Sequence, residues 1–328
     1  MKQNGKFLPV LLASLLAVPL LLGASSNDPA EQFKQGAAYY RGVGVAVDKA
    51  KAAELFQKAA DQGDAAAQYS LGLMYDNGDG VPMDKSKAVQ WFQKAADQDN
   101  ANAQHNLGMV YYSGYGVPTD KSKAVQWFQK AGDQGNAAAQ YTLGVMYNNG
   151  DGVPTDKSKA AQWYQKAADQ GMAYAQNYLG LMYLKGEGVP MDKSKAFQWF
   201  QKAADQGLAN AQTILGAMYN NGDGVPMDKS KAFQWFQKAA DQGMANAQAI
   251  LGAMYNSGDG VPMDMSKAVQ WFQKAADQGY ASAQYNLGVM YLNGEGVPTD
   301  TSRAAQLFQM AADQGHAAAA AQLRRDVP

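Results

Sequence analysis

The sequence predicts an all-α fold built from repeated helix–loop–helix units, and three observations lead to this prediction. Nearly the same stretch of sequence returns with a period of 36 residues. Each copy holds two runs of apolar residues at helical spacing. A short loop rich in glycine separates the two runs. A fixed period of this size is typical of repeat arrays, in which one unit buries its apolar face only by packing on its neighbours.

The copies are recognised by a Leu-Gly pair in the first half and a tryptophan in the second half. Leu71-Gly72 and Trp91 are the first regular examples. The pair returns as Leu107-Gly108, Leu143-Gly144, Leu179-Gly180, Leu215-Gly216, Leu251-Gly252 and Leu287-Gly288. The tryptophan returns as Trp127, Trp163, Trp199, Trp235 and Trp271, and then as Leu307.

The first half of each copy is predicted to be a helix that ends at a glycine loop. Within residues 65–77 the apolar side chains lie at offsets i, i+4, i+7 and i+8, which is one face of an α-helix. These side chains are Ala67, Leu71, Met74 and Tyr75. The loop over residues 78–83 cannot continue the helix, because Gly78 and Gly80 are permissive and Pro82 lacks a backbone donor.

The second half is predicted to be a helix that begins after Asp84, which stands at the N-cap position, and ends near Gln98. Its apolar stripe comprises Ala88, Trp91, Phe92, Ala95 and Ala96. In other copies a glycine such as Gly63 or Gly135 stands just beyond the end, which suits the C′ position of a helix. Each copy is therefore a helical hairpin.

Gly72 indicates that the two helices approach closely. A glycine in mid-helix costs about 1 kcal/mol relative to alanine unless another element must come near. We expect the small residues Ala88, Ala95 and Ala96 to supply the matching surface.

Residues 1–24 are predicted to be a cleaved signal peptide. Lys2 and Lys6 precede an apolar run over residues 7–22, and small residues follow it. We expect cleavage between Ala24 and Ser26. A retained membrane anchor is the alternative, but the run is short for a span. The chain has no cysteine, so we exclude a lipid-modified N-terminus.

The rest of the chain divides into repeats by counting. Residues 25–315 are predicted to be a solenoid of eight repeats, with a degenerate first repeat over residues 28–63 and seven regular repeats from residue 64. Residues 316–328 are predicted to form a capping helix and a tail. In this segment Leu323 keeps the register of Leu71.

The repeated unit resembles the Sel1-like repeat, a relative of the tetratricopeptide repeat. The resemblance lies in the pattern A-x-A-Q-Y-x-L-G-x-M-Y-x-x-G-x-G-V-P-x-D-x-x-K-A-x-x-W-F-x-K-A-A. The spacings Leu71-Gly72-x₂-Tyr75 and Ala88-x₃-Phe92 match the tetratricopeptide pattern, whereas Gln68 stands where that family has tryptophan.

The resemblance implies a right-handed α-solenoid whose first helices line a concave surface. It also implies a scaffold or adaptor role in the bacterial envelope or at a host interface. A secreted cysteine-rich branch of the family has been linked to β-lactam binding and hydrolysis. Because this chain has no cysteine, we place it outside that branch.

Composition and residue types argue against several functions. Removing residues 1–24 leaves 26 basic and 29 acidic residues, a formal net charge of −3, which gives no reason to expect nucleic-acid binding. His105 and His316 are six repeats apart, so no catalytic set forms around either. We interpret His105, which takes the place of Tyr69, as surface variation. We predict no enzymatic activity, no cofactor and no metal.

Charged residues also recur with the period. Acids such as Asp79 and Glu187 return at one loop position, which we interpret as a solvated ridge rather than a catalytic pair. Asp84 and Asp97 return at least as often as Lys85 and Lys87, so we expect a neutralised, solvated face rather than a basic ridge for anionic polymers.

The candidate binding site lies on the first helices of repeats 5 to 7. The positions equivalent to 66, 70, 73 and 77 vary between the copies and form one stripe. By resemblance this stripe faces the concave side. Its apolar members flanked by amides suit an extended peptide. The predicted residues are Tyr174, Tyr178, Leu181, Lys185, Asn210, Ile214, Ala217, Asn221, Asn246, Ile250 and Ala253.

Two alternatives stay open for this stripe: unconstrained drift of surface residues, and isoleucines that pack between first helices as core. We predict an exported, monomeric scaffold, periplasmic or secreted by a Gram-negative bacterium. It would bind a protein or an extended peptide and have no membrane span after cleavage. The alternative functions are binding of a cell-wall fragment or β-lactam with weak hydrolysis, and a structural spacer.

Overall fold

The computed structural model describes residues 27–326, with side chains through Arg324. It forms two compact units, residues 27–139 and residues 140–326. The predicted signal peptide, residues 1–24, lies outside the described residues. Every regular element between residues 27 and 326 is an α-helix.

The helices alternate between first and second helices of successive hairpins, which confirms the all-α repeat fold. They are α1 (Pro29–Arg41), α2 (Lys49–Asp61), α3 (Ala65–Asn77), α4 (Lys85–Asp97), α5 (Ala101–Ser113), α6 (Lys121–Asp133), α7 (Ala137–Asn149), α8 (Lys157–Asp169), α9 (Ala173–Lys185), α10 (Lys193–Asp205), α11 (Ala209–Asn221), α12 (Lys229–Asp241), α13 (Ala245–Ser257), α14 (Met265–Asp277), α15 (Ala281–Asn293), α16 (Thr301–Asp313) and α17 (Ala317–Asp326).

The helix boundaries follow the local signals in the sequence. The Asp84 side chain accepts a hydrogen bond from the Lys87 backbone N–H at 3.0 Å, which caps α4 as predicted. At the other end of the first helix, Gly78 adopts φ 72° and its N–H donates to the Met74 carbonyl. The left-handed backbone explains why a glycine ends this helix.

The helices α3 and α4 approach closely at Gly72, as predicted. The side chain that lies against this glycine is the ring of Phe92 rather than a small residue. A Cβ at this position would lie 2.7 Å from ring carbon Cδ1 of Phe92 and 3.4 Å from the carbonyl oxygen of Ala88. Of the small residues expected here, Ala88 does lie beside Gly72, whereas Ala95 and Ala96 belong to a cluster with Ala103 and Leu107 of the next first helix. An aromatic ring lies against the bare backbone, and α3 and α4 pack around it.

A buried glutamine in each first helix joins neighbouring hairpins, which the sequence analysis did not anticipate. Gln68 is buried and donates from Nε2 to the carbonyl of Ala60, at the end of the preceding second helix. Its Oε1 accepts from Gln98 Nε2 at 2.7 Å. Gln98 is the C-cap residue of α4, so one side chain satisfies polar groups in two hairpins.

The recurring acids form ion pairs with lysines of the preceding repeat. Each pair joins an acid in a loop to the first residue of a second helix, 30 residues earlier. In the first unit Asp79 pairs with Lys49 at 2.5 Å. The pairs in the second unit are Glu187 with Lys157 (3.2 Å), Asp223 with Lys193 (2.5 Å) and Asp259 with Lys229 (3.0 Å). Lys87 likewise lies 3.8 Å from Asp84. The face is neutralised, as predicted.

The end of the chain packs as a first helix would. Ala319 is buried and Leu323 is partly buried, and both belong to a cluster with Phe308. The two residues place α17 against α16. In the part of the chain that the structure describes, none of the helices has the length and apolar content to cross a membrane.

Candidate functional site

The predicted stripe lies on α9, α11 and α13, all in the second unit, and its side chains reach the surface to different extents. Tyr174 is 56% exposed and Tyr178 is 37% exposed. The other exposed members are Lys185, Asn210, Asn221 and Ala253, and the half-buried members are Leu181, Ile214, Ala217, Asn246 and Ile250.

Five of the stripe residues surround an open depression of about 240 Å³. They are Tyr178 and Leu181 of α9, Asn210 and Ile214 of α11, and Asn246 of α13. Asn177 and Thr213 complete the lining. We call this the first depression.

The apolar side chains of this depression reflect a difference between repeats at two neighbouring positions of the first helix. In some repeats the larger side chain stands at the first of these positions, and in repeats 5 to 7 it stands at the second. In the hairpins of Tyr69, His105 and Tyr285, an aromatic side chain packs on the phenylalanine of the second helix, with centroids 5.6–6.0 Å apart. Repeats 5 to 7 carry small residues there, and the larger residue stands one position later. The small residues are Asn177, Thr213 and Ala249, and the larger ones are Tyr178, Ile214 and Ile250.

The isoleucines are neither free surface nor full core. Ile214 and Ile250 are half-buried and pack against the core cluster that contains Leu215 and Phe236. The alternative in which the isoleucines pack as core is therefore met in part, whereas unconstrained drift of the stripe stays open. One side of each isoleucine contacts the core, and the other side is accessible to a ligand.

A second depression, of about 330 Å³, lies on the other side of Tyr178. Tyr178 and Leu181 line both depressions. Its rim carries Lys157, Lys185 and Glu187. Asn148, Tyr164 and Met182 complete the lining. We call this the second depression.

Most polar groups of the second depression are paired with one another. Lys157 Nζ lies 3.2 Å from Glu187 and donates to Asn148 Oδ1 at 2.8 Å. The amide nitrogen of Asn148 donates to Asn149 Oδ1 at 2.8 Å. Lys185 has no ion-pair partner among the described residues and is exposed.

Four tyrosines form a cluster beside the two depressions. The rings of Tyr164 and Tyr178 stack, with centroids 5.4 Å apart and an angle of 9° between the planes. Tyr141 lies 5.9–6.3 Å from Tyr164, Tyr178 and Tyr174. Burial raises the pKa of Tyr141 to about 12, and the neighbouring Tyr178 hydroxyl adds to this. Burial also raises the pKa of Tyr164, so both phenols stay protonated near neutral pH.

Two buried polar atoms beside the depressions have no hydrogen-bond partner among the described residues. They are Tyr164 Oη and Asn177 Oδ1. Tyr164 is 1% exposed and Asn177 is 7% exposed. Buried polar atoms are nearly always paired in folded proteins, and an unpaired one destabilises the fold by about 1–3 kcal/mol. Tyr164 lines the second depression and Asn177 lines the first.

Four first helices of the second unit, α9, α11, α13 and α15, also begin without a side-chain cap. Their N-cap residues are apolar: Met172, Leu208, Met244 and Tyr280. In the first unit, Asp64 and Asn100 cap α3 and α5 through their side chains. Backbone donors at an uncapped N-terminus attract acceptors and negative charge. These termini lie beside Tyr174, Asn210 and Asn246, which are the second residues of α9, α11 and α13.

The structure brings together only part of the predicted set. Seven of the eleven residues line the depressions or belong to the tyrosine cluster: Tyr174, Tyr178, Leu181, Lys185, Asn210, Ile214 and Asn246. Ala217, Asn221, Ile250 and Ala253 line neither depression. The sequence analysis missed Tyr164, although it is the one tyrosine among eight otherwise phenylalanine positions, and it missed Asn177 and Thr213.

His105 is not surface variation, contrary to the prediction. It is half-buried, its ring lies 5.6 Å from Phe128, and burial lowers its pKa. The position equivalent to 69 faces the second helix of its own hairpin, so a ring at this position packs between the two helices. Among the described residues no group of three or more His, Cys, Asp or Glu side chains is placed to hold a metal ion.

Comparison with known structures finds proteins of the same repeat type. A protective antigen of uropathogenic Escherichia coli is 38% identical and superposes with a TM-score of 0.88 over 90% of this chain. The match spans 64% of the length of that protein. A Sel1 repeat protein from Oxalobacter formigenes is 36% identical, with a TM-score of 0.68, and the match covers 92% of this chain and 87% of that one.

Comparison with curated protein sequences gave no match. The model of the Sel1 repeat matches eight consecutive segments of the chain. They are residues 32–64, 65–100, 101–136, 137–172, 173–208, 209–244, 245–280 and 281–316. The matches follow the helical hairpins from α1 to α16 and cover most of the chain. The protein therefore belongs to the Sel1 repeat family.

Proposed function

We propose that this protein is an exported adaptor that binds an extended peptide segment of a partner protein along the stripe of α9, α11 and α13. Sel1 repeats generally mediate protein–protein interaction. The observation that carries the proposal is the first depression, where the apolar side chains of Tyr178, Leu181 and Ile214 line the same space as the amides of Asn210 and Asn246.

The chemistry of this surface suits a peptide main chain. An extended peptide presents alternating N–H and C=O groups that need partners on binding. Asn210 has no hydrogen-bond partner within the described protein and offers both a donor and an acceptor. The uncapped helix N-termini offer further donors on the same side. Helices packed about 10 Å apart would let the stripe span roughly six extended residues.

Export rests on the first residues and on the relatives. Residues 1–24 have the composition of a signal peptide. The similar Escherichia coli protein is a protective antigen. These observations support a periplasmic or secreted location and a monomeric adaptor without catalytic activity.

Affinity capture from an envelope extract tests the proposal. The bait is the purified protein, and the comparison is a variant with Ile214→Asn and Ile250→Asn, since repeat 8 carries Asn286 at the same position. Helicity and melting temperature verify that the variant is folded. A protein captured by the parent and lost by the variant supports the adaptor function, and equal capture by both contradicts the proposed surface.

A cell-wall ligand is the second candidate, and one observation favours it. Exposed tyrosine rings such as Tyr174 beside free amides also suit a saccharide. Pull-down with insoluble peptidoglycan, compared between the parent and Tyr174→Ser, tests this candidate. Turnover of a chromogenic β-lactam would support the hydrolase variant, and a purely structural spacer predicts that the double variant behaves as the parent in the cell.

A further inference from the structure

We propose that the second depression is a carboxylate subsite of the peptide site, in which the Tyr164 hydroxyl and the Lys185 ammonium together hold one carboxylate of the bound segment. This inference rests on the proposed function, because it assigns the chemistry of one residue of the peptide. It concerns residues that the peptide stripe alone does not explain.

Tyr164 supplies the first donor. At the equivalent place in the other hairpins stands a phenylalanine: Phe56, Phe92, Phe128, Phe200, Phe236, Phe272 and Phe308. The ring of Tyr164 packs in the same way, because a Cβ on Gly144 would lie 2.6 Å from its ring carbons. The hydroxyl is the one difference. It adds nothing to packing, is buried, and has no partner among the described residues.

Lys185 supplies the second donor and the charge. The last residue of the first helix is uncharged in the repeats around it, as at Asn149, Asn221 and Ser257. Lys157 and Glu187 neutralise each other across 3.2 Å. The lining of the second depression therefore keeps one net positive charge, and Lys185 carries it.

The Tyr164 hydroxyl and the Lys185 ammonium are both free to donate, because the acceptors of the lining are already occupied. Asn148 Oδ1 already receives Lys157, and Glu187 is paired. A carboxylate accepts several hydrogen bonds at once, and charge-assisted bonds are stronger than neutral ones. A carboxylate of the bound peptide therefore matches a lysine ammonium next to a protonated phenol.

Tyr178 separates this subsite from the first depression. Its ring stacks on Tyr164 and lines both depressions. On its other side, the buried acceptor Asn177 Oδ1 has no hydrogen-bond donor among the described residues. A peptide that crosses Tyr178 would thus place a carboxylate on one side and an N–H group on the other. The exposed ring of Tyr178 must rotate to open the Tyr164 hydroxyl, which makes binding a local induced fit.

Selection from a random octapeptide library tests the subsite. The purified protein is screened against the library in two formats, one with amidated and one with free C-termini. The informative variants are Tyr164→Phe and Lys185→Gln. The matched controls are Tyr141→Phe, in the same tyrosine cluster, and Lys202→Gln, an exposed lysine whose ammonium lies 4.1 Å from the Trp199 ring centroid. Every variant is checked for helicity and melting.

We expect the parent to enrich aspartate or glutamate at one fixed position of the peptide by about tenfold over asparagine or glutamine. The reason is that hydrogen bonds to a charged group are stronger than those to a neutral one. Tyr164→Phe and Lys185→Gln should each remove most of this preference while apolar selection remains. The two controls should select as the parent does. A preference for acidic residues in the amidated format identifies a side-chain carboxylate. Enrichment in the free format alone, without that preference, identifies the C-terminal carboxylate, and Tyr164→Phe and Lys185→Gln should then weaken it.

Three results would overturn the inference. Equal enrichment of amidated and free peptides, without a preference for acidic residues, would support the peptide site and contradict the carboxylate subsite. An acid preference that Tyr164→Phe does not change would also remove it. Enrichment of no peptide by the folded parent would contradict the proposed function together with the subsite.

Discussion

The ring of Phe92 lies against the bare backbone of Gly72, where a Cβ would come within 2.7 Å of it. The same relation recurs between Gly180 and Phe200 and between Gly252 and Phe272. It sets the distance between the two helices of each hairpin, and it explains why a residue of poor helix propensity stands in mid-helix.

Gly72→Ala should therefore destabilise the protein. Overpacking against the ring costs about 1–3 kcal/mol, and the better helix propensity of alanine recovers about 1 kcal/mol. Thermal melting followed by circular dichroism measures the change. The control is Gly132→Ala, at a helical position where the other repeats carry alanine. It should raise the melting temperature, and a rise for both variants would contradict the close-approach argument.

Tyr164→Phe should stabilise the second unit. The change removes a buried hydroxyl that has no partner among the described residues, and it keeps the ring. We expect a gain of about 1–2 kcal/mol. Chemical denaturation measures it, with Tyr141→Phe as control, because the Tyr141 hydroxyl interacts with that of Tyr178. A less stable Tyr164→Phe variant would show that the hydroxyl is satisfied in the free protein.

Gln212→Leu should destabilise the joint between two hairpins. Gln212 is buried, donates to the Ala204 carbonyl at 3.2 Å, and accepts from Gln242 at 2.8 Å. Leucine fills the space but makes neither side-chain bond, and the Ala204 carbonyl keeps only the bond from the Gly207 backbone N–H at 2.9 Å, so the loss of two hydrogen bonds costs about 1–3 kcal/mol. Gln242→Ala, which removes the exposed partner, should cost less. Equal stability of Gln212→Leu and the parent would show that the glutamine bonds are dispensable.

Tyr40 should ionise at a higher pH than an ordinary tyrosine, so the first unit should lose stability at alkaline pH. Burial and a 2.8 Å hydrogen bond to Asp79 raise the pKa of Tyr40 to about 12. An unfolded tyrosine ionises near pH 10, at about its reference pKa. The contribution of Tyr40 is therefore complete below about pH 10 and is lost as the pH rises through about 12.

A spectroscopic titration of phenolate, taken as the difference between the parent and Tyr40→Phe, isolates this group. Asp79→Asn removes the charge that opposes ionisation, so it should shift the difference curve towards lower pH. A difference curve centred at the ordinary tyrosine pKa in the parent would contradict the burial of Tyr40.

Ile250→Asn should weaken peptide binding by about tenfold with a small loss of stability, because one side of the isoleucine already contacts the core. The control is Met263→Thr, which removes an exposed apolar residue of the same repeat outside the stripe. Threonine stands at that loop position in other repeats, as Thr119 and Thr155. Equal binding by the two variants would place the ligand elsewhere.

The sequence alone determined the period, the helix limits and the caps. Asp84 at an N-cap and Gly78 at a helix end are local signals, since each acts through backbone groups only a few residues away. The eleven stripe residues are also predicted from one helical face, and seven of them line the depressions or belong to the tyrosine cluster. The spacing of residues along a helix fixes which side chains share a face.

The tertiary structure decided which faces are covered. His105 and Asn177 occupy equivalent positions, one position before the stripe. His105 packs on Phe128 of the second helix of its hairpin, and Asn177 is buried beside the first depression. Helical spacing cannot show this, because it depends on the direction from which the next helix approaches. For the same reason only the folded chain revealed Gln68 between two hairpins and the Tyr164 hydroxyl without a partner among the described residues, where burial makes each polar atom matter.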